Sequence, residues 1–341
     1  MSDGEAVLVT GGSGYIGGWC VATLLERGYH VRTTVRDLAR EGAVRAAIAT
    51  VTDPGDRLSF HAANLTADEG WEAAAEGCRF VLHVASPLII AEPKDPNELI
   101  TPARDGALRA LKAAIAAGAE RVVMTSSVAA TSLAPGSPDA VADESVWTDP
   151  DLAGVTAYSR SKTIAERAVW ELMASAGGTT TLATVNPALV LGPVMGSDFS
   201  GSIQVVQRLL TGKVPGLPRL GFNVVDVRDV ADLHVAAMTA PGAAGQRFIA
   251  ASDFKWFEEM ADILRRHLGA AAAKVPTRKM PDFLVRLAAL FDPDLKSVTP
   301  DLGRRREFTS AKARDLLGWR PRAAEETTLD CAHSLIAHGV V

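Results

Sequence analysis

The 341-residue sequence predicts an α/β fold, a doubly wound parallel sheet with a smaller, interleaved C-terminal lobe. Three observations lead there. Short β-rich runs alternate with longer helical runs through residue 187. A glycine-rich turn sits at the first junction between strand and helix. Beyond residue 187 the alternation lapses into segments richer in Pro and aromatic residues. Alternating βαβα order implies parallel strands with helices on both faces.

The first strand is "AVLVT", an apolar run bounded by glycines. A helix through Leu24 and Leu25 follows it and stops at Gly28, and "HVRTTVR" is the second strand. "LSFHAAN" precedes an acidic, Ala-rich helix, after which "FVLHVA" is the next strand. A helix from about 102 to 117 carries Ala103, Ala107, Leu111, Ala114 and Ile115 at helical spacing, one face for the sheet, and ends at Gly118. "RVVMTSS" is a further strand, a helix begins near Ala157, and "TLATVNPALVLGP" runs from strand into a loop. "VVDVRDVADLHVAAM" and "RFIAA" read as a helix and a strand that return to the main sheet. The main unit is therefore expected to span 1–187 with a return segment at 224–251, and the smaller lobe 188–223 and 252–341.

Composition narrows the function. With 48% hydrophobic residues the chain can bury a core larger than a minimal domain needs. The net charge is −5, and Arg304-Arg305-Arg306, followed at once by Glu307, reads as a solvated helix face, so no nucleic-acid partner is expected. Cys20, Cys78 and Cys331 are odd in number and far apart, which fits buried thiols in a reducing compartment. The most apolar stretch, around 84–91, is interrupted by Pro87 and is far shorter than the roughly 20 residues of a membrane helix. Residues 1–5 are acidic and show no leader pattern. A cytoplasmic protein without membrane contact is expected.

"VLVTGGSGYIGGW" follows a strand and opens a helix, the setting in which such a run marks a Rossmann-type dinucleotide site. Gly11, Gly14 and Gly17 are spaced by three, with Ser13, Tyr15 and Ile16 between them. Glycines there permit a tight turn, a close approach of backbone to a pyrophosphate, and close packing of helix on strand. The helix N-terminus adds N–H groups for the anion. The second strand then decides between NAD and NADP. An acidic residue at its end would grip ribose hydroxyls, but "VRTTVRD" places Arg36 near that corner, and a guanidinium suits a 2′-phosphate. Asp37 is adjacent, and Arg32 reads as a surface strand residue.

"YSRSK" puts Tyr158 and Lys162 four apart on a helix, on one face and about 6 Å apart at Cβ. A phenol is a poor proton donor at neutral pH, and a nearby cation favours the phenolate. Such a pair can exchange a proton with a carbonyl being reduced or an alcohol being oxidised. Upstream, Ser126 and Ser127 close a strand at the carboxyl edge of the sheet, where a serine hydroxyl can hydrogen-bond a substrate oxygen.

The ordered set "TGGSGYIG", "HVASP", "VVMTSS", "YSRSK" and "NPALVLGP" resembles the extended short-chain dehydrogenases/reductases. "LLERGYHVRTTVRD", "HVASP" and "FTSAKARDLLGW" resemble, more narrowly, the branch of dihydroflavonol reductases, cinnamoyl-CoA reductases and bacterial aldehyde or carbonyl reductases. The resemblance runs from Val7 to about Arg320. It implies Ser127, Tyr158 and Lys162 as the catalytic set, with Lys162 also orienting the nicotinamide ribose. It implies NADP(H) as cofactor, held by the glycine loop, by Arg36, by Asn64 and Leu65, by Val84, Ala85 and Ser86, and by Pro187. The expected reaction is hydride transfer from NADPH to the carbonyl of a small aldehyde or ketone.

Departures from the family pattern shape the rest. Asn64-Leu65 stands where relatives have Asp-Leu, Ser132 aligns with an Asn that reads a flavonoid hydroxyl in plant dihydroflavonol reductases, and Arg40 is the nearest second base for the 2′-phosphate. Leu88, Ile89, Met195, Phe199 and Phe222 follow motif positions and can line an apolar cleft, with Asn223 as a polar contact. His83 reads as a satisfied core imidazole and His234 as part of a helix packed on the sheet. No metal-ligand spacing occurs. A sugar-nucleotide epimerase or a hydroxysteroid-type dehydrogenase shares the same triad and stays open, as does a non-catalytic NADP-binding regulator, which the intact triad disfavours. Both a monomer and a homodimer fit, since family members pair through helices matching about 102–117 and 157–174.

Overall fold

The structure, a computed structural model, describes residues 4–87, 93–196, 201–290 and 299–341. In chain order it begins β1 (Ala6–Thr10), α1 (Tyr15–Glu26), β2 (His30–Val35), α2 (Glu41–Ala49), β3 (Leu58–Ala62), α3 (Trp71–Ala75), β4 (Phe80–His83), α4 (Asn97–Ala116) and β5 (Arg121–Thr125). There follow β6 (Ala140–Ala142), α5 (Ala157–Ala176), β7 (Thr181–Pro187), β8 (Leu189–Leu191), α6 (Gln204–Leu210), β9 (Gly221–Asp226), α7 (Val227–Thr239), β10 (Arg247–Ala250) and β11 (Phe254–Trp256). Helix Phe257–Leu268, helix Asp282–Ala288, β12 (Arg306–Phe308) and helices Ala311–Leu317 and Ala324–Ala337 complete it.

Seven strands form one parallel sheet in the order β10-β7-β5-β4-β1-β2-β3. The chain winds outward from β1 through β2 and β3, then returns to place β4 on the other side of β1. The carboxyl ends of β1 and β4 therefore flank the switch point, the place where such sheets bind ligands. Thr10 is paired with His83 at that edge.

Each face of the sheet has its own core. On one, α1 is buried on nearly every side because Cys20, Val21, Ala22, Leu24 and Leu25 face the sheet, α2 and α7. On the other, Ala103, Ala107, Leu111 and Ala114 of α4 pack with Ala165 and Val169 of α5, small side chains that let two helices lie close against the strands. The alanine stripe is as the spacing predicts. The start of its helix is not: α4 begins at Asn97, with Pro102 inside it. An interior proline costs about 3 kcal/mol. Leu99 is buried in the first turn, worth about 1.5–3 kcal/mol, and Asp95 accepts from the Asn97 amide at 2.9 Å.

Strands β11, β9 and β8 make a second, three-stranded sheet, over a third core that includes Leu191, Ile203, Leu209, Met260, Leu264 and Leu335. Two expectations are corrected here. Val224–Asp226 ends strand β9 rather than opening the helix, because those residues pair with β8 before Asp226 accepts from the Arg228 amide as N-cap of α7. Arg304, Arg305 and Arg306 lie on extended chain entering β12, not on a helix. Arg304 donates to the Ser137 carbonyl (2.8 Å), the Arg305 amide to Asp139 (2.9 Å) and Arg306 to the Ala134 carbonyl (2.8 Å), which with the β12–β6 pairing tie residues 134–142 to the smaller sheet's side of the molecule. Strand β10 returns to the main sheet as expected, pairing with β7. Cys20, Cys78 and Cys331 are buried free thiols. Among the described residues no helix is long and apolar enough to cross a membrane, and no His, Cys, Asp and Glu side chains cluster as metal ligands.

Candidate active site

The glycine loop leaves β1 and enters α1 at the switch point. Gly11 adopts φ +73°, and a Cβ there would lie 2.9 Å from the Cα of Ala85, so the turn demands glycine twice over. A Cβ on Gly17 would sit 2.2 Å from the Gly11 carbonyl oxygen, and one on Gly14 3.3 Å from the same atom. Gly12, which with Gly14 and Gly17 also satisfies the looser dinucleotide pattern, packs on Thr33, whose hydroxyl donates to the Val9 carbonyl at 2.8 Å. The Gly11 amide donates to Thr34 Oγ1 at 3.0 Å. The first turn of α1 has no side-chain cap and no acidic residue, which leaves its amides and the helix dipole for an anion. A backbone cradle with no room for a Cβ at Gly11 or Gly17, opening on an uncapped helix N-terminus, fits a dinucleotide pyrophosphate.

Tyr15 and Ile16 contribute that first turn. The Tyr15 ring bridges the core under α1 and the core of the smaller sheet, and its hydroxyl is buried without a hydrogen-bond partner among the described residues. Burial, with Cys331 and Asp226 nearby, pushes its phenol well up. What Tyr15 can offer an anion is its backbone.

At the end of β2, Arg36 is exposed. The neighbouring Asp37 turns its carboxylate to the Ala39 amide at 2.9 Å, capping a short turn that Arg40 closes. Arg32 donates to the Glu76 carbonyl, as a surface strand residue would. After β3, the strand beside β2, Asn64 Oδ1 accepts from the Thr66 amide and hydroxyl, and the Leu65 side chain fills the space a Cβ on Gly106 of α4 would need.

Thr10 organises the opposite wall. Its Oγ1 accepts from the amides of Val84 and Ala85 at 3.0 Å each, so its own proton goes to His83 Nδ1 at 2.9 Å. His83 must then be neutral there, and burial with Lys162 nearby pushes its imidazole down to about 3. His234 is neutral for a similar reason: its Nδ1 donates to the Val230 carbonyl, its Nε2 accepts from Thr125, and burial pushes it down to about 4. His83 is the satisfied core imidazole the sequence suggests, and His234 lies, as expected, on a helix packed on the sheet, α7.

Helix α5 starts at Thr156, whose hydroxyl accepts from the Ser159 amide at 3.1 Å. That cap sets Tyr158 and Lys162 one turn apart on one face. Lys162 is 7% exposed; its Nζ donates to Ser86 Oγ at 3.0 Å and stands 5.8 Å from the centre of the Tyr158 ring. The cation is thereby fixed between the tyrosine and the loop after β4. Ser127 caps the turn 128–130 by accepting from the Ala129 amide at 3.1 Å, and that turn packs on α5. The Ser127 hydroxyl proton has no acceptor among the described residues. Ser126 differs: its hydroxyl is taken by Glu166 at 2.5 Å. Of the pair, Ser127 has the hydroxyl left to meet a substrate.

The substrate-side expectations scatter. Met195 packs on Gly18 of α1, and Pro187 is buried at the end of β7. Phe222 packs against the smaller core and the Leu220, Val285 and Leu302 cluster. Ser132 donates to the Val128 carbonyl at 2.8 Å. Asn223 is buried, donating to the Ser252 carbonyl and accepting from the Phe308 amide, so both ends of its amide are occupied by the fold. Leu88, Ile89 and Phe199 lie outside the described residues.

The family model described as "NAD dependent epimerase/dehydratase family" matches residues 7–251. The chain is 38% identical over 266 residues to cinnamoyl-CoA reductase 1 of Arabidopsis thaliana, covering 77% of this chain and 75% of that protein. It is 33% identical over 271 residues to dihydroflavonol 4-reductase of Zea mays, covering 77% and 74%. Among solved structures, Gre2 from Candida albicans in complex with NADPH superposes with a TM-score of 0.80 at 26% identity, over 98% of this chain and 99% of that one. A glycine cradle at the switch point, a Tyr–Lys helix beside it and these matches agree: the chain belongs to the NAD dependent epimerase/dehydratase family, the extended short-chain dehydrogenases/reductases.

Proposed function

We propose that this chain reduces the carbonyl of small, mostly apolar aldehydes or ketones with NADPH, and can run the reverse alcohol oxidation. The observation that carries this reading is Lys162 held by Ser86 beside the Tyr158 ring, on a helix packed against the turn that Ser127 caps. The relatives named as cinnamoyl-CoA and dihydroflavonol reductases, and a neighbour seen with NADPH, support it.

NADPH, when bound, supplies the hydride. Ser127 donates a hydrogen bond to the substrate oxygen and so fixes which way the carbonyl faces. Tyr158 gives that oxygen its proton as charge develops on it. Lys162 holds positive charge beside the phenol, and its grip on Ser86 keeps it from swinging into solvent. The glycine cradle, Arg36, Asn64, Leu65, the loop Val84, Ala85 and Ser86, and Pro187 would hold and orient the dinucleotide.

A panel of small aldehydes and ketones, followed by loss of NADPH absorbance, tests the reading. Turnover of apolar members is expected; no carbonyl turnover together with interconversion of a sugar nucleotide without net cofactor change overturns it in favour of an epimerase. In the same assay Arg36→Asp should lower the ratio of NADPH to NADH efficiency about 10–100-fold, since a guanidinium–phosphate pair is worth about 1.5–3 kcal/mol. An unchanged ratio would remove Arg36 from the 2′-phosphate corner.

A further inference from the structure

We infer that Glu166, held by Arg247, is a positioning residue for Ser127, locking the end of β5 to the helix that carries Tyr158 and Lys162. Glu166 is 0% exposed and one turn beyond Lys162 on the same face of α5. Donors from three strands converge on it. From the end of β5, the Ser126 hydroxyl reaches it at 2.5 Å. From β7 come Thr184 at 2.9 Å and Asn186 at 2.8 Å, and from β10 come Arg247 Nε at 2.7 Å and Nη2 at 3.2 Å. Asn186 carries the link onward, because its amide also donates to the Ser127 carbonyl at 3.1 Å. That carbonyl accepts in addition from the Ala130 amide, within the turn capped by the Ser127 hydroxyl.

Arg247 is fixed in its turn by the carbonyls of Glu144 (2.8 Å) and Val146 (3.0 Å) and lies 3.6 Å over the Trp147 ring. A buried ion pair of this kind need not raise stability over a well-packed apolar pair. What it does here is directional. The carboxylate leaves Ser126 no freedom to turn into the cleft, and through Asn186 it sets where the Ser127 backbone stands relative to α5.

The inference rests on the proposed carbonyl reduction, and its test separates the two. Asn186→Leu cuts the link to Ser127 while leaving Glu166 and Arg247 paired. It should lower kcat up to about 10²-fold, the cost of a displacement near 1 Å at the reacting group, with the NADPH dissociation constant unchanged. It should also speed amide hydrogen exchange at Ala129 and Ala130, a readout independent of turnover. The double variant Glu166→Leu/Arg247→Met removes both charges together and should show the same pattern, whereas Glu166→Gln/Arg247→Met, which keeps an acceptor for Ser126 and Asn186, should restore most of kcat. Equal kcat in the Leu/Met and Gln/Met variants would reduce Glu166 to a purely structural role. Wild-type kcat and exchange in Asn186→Leu would overturn the inference even if the Leu/Met protein does not fold. A wild type that reduces no carbonyl would instead overturn the proposed function, and the exchange measurement would still decide the positioning role.

Discussion

Tyr158→Phe is expected to lower kcat by about 10²–10⁴-fold, the range spanned by loss of a positioned general acid, while NADPH binds as before. The substitution deletes one oxygen. That oxygen makes no hydrogen bond among the described residues, so its removal strands no buried donor or acceptor, and the phenylalanine ring can stay beside Lys162. Helix α5 should be undisturbed because its start is set by Thr156 and the Ser159 amide, neither of which touches the phenol. The Lys162–Ser86 contact is likewise independent of it. Single-turnover measurement of NADPH oxidation, with cofactor affinity from fluorescence titration, separates chemistry from binding. Wild-type kcat in Tyr158→Phe would mean the proton comes from elsewhere.

The geometry of the candidate site was legible in the sequence wherever it is local. A separation of four positions between Tyr158 and Lys162 is enough to put them on one face once 157–176 is helical, as it is. Three-residue spacing of Gly11, Gly14 and Gly17 is enough to mark the turn, in which a Cβ has no room at Gly11 or Gly17. The alternation of strands and helices pointed to the doubly wound parallel sheet, which the structure builds from seven strands. What stayed hidden depends on partners far along the chain. Thr10 and His83 are 73 residues apart, Glu166 and Arg247 81, and Asn223 and Phe308 85, and no spacing rule links such positions. Asn223 could thus look like a polar contact in a cleft, when its amide is consumed by two backbone groups. Glu166 had one local cue, a carboxylate four residues after Lys162, but on a helix that spacing most often means solvent. The start of α4 was misplaced because a proline usually marks a first turn, and only tertiary burial of Leu99 shows that the helix begins earlier.

Gly17→Ala is expected to weaken NADPH binding by about 10²-fold or more and to lower stability by about 1–3 kcal/mol, the usual cost of overpacking. The added methyl would meet the Gly11 carbonyl oxygen at 2.2 Å, its carbon at 2.9 Å and the Gly12 Cα at 3.2 Å. These are backbone atoms, and no rotamer change relieves them. Gly11 cannot retreat, since its own Cα-side space is closed by Ala85 and its amide is bound to Thr34. The gap has to open past about 3.0 Å, so the start of α1 must shift by close to an ångström away from the turn. That shift moves the uncapped amides that the pyrophosphate needs, and it also pulls Tyr15 from between the two cores it bridges. Neighbouring glycines give an internal scale. Gly14→Ala meets a single atom at 3.3 Å and should be milder, whereas Gly12→Ala runs into Thr33 Oγ1 at 2.1 Å, a side chain that can rotate only by giving up its bond to Val9. Thermal unfolding with and without NADPH reads both consequences at once, because a ligand that binds only the folded state raises the midpoint. The wild type should gain stability from the cofactor and Gly17→Ala should gain far less at the same NADPH concentration. An undiminished rise in the variant would mean that the cofactor is not seated on this turn.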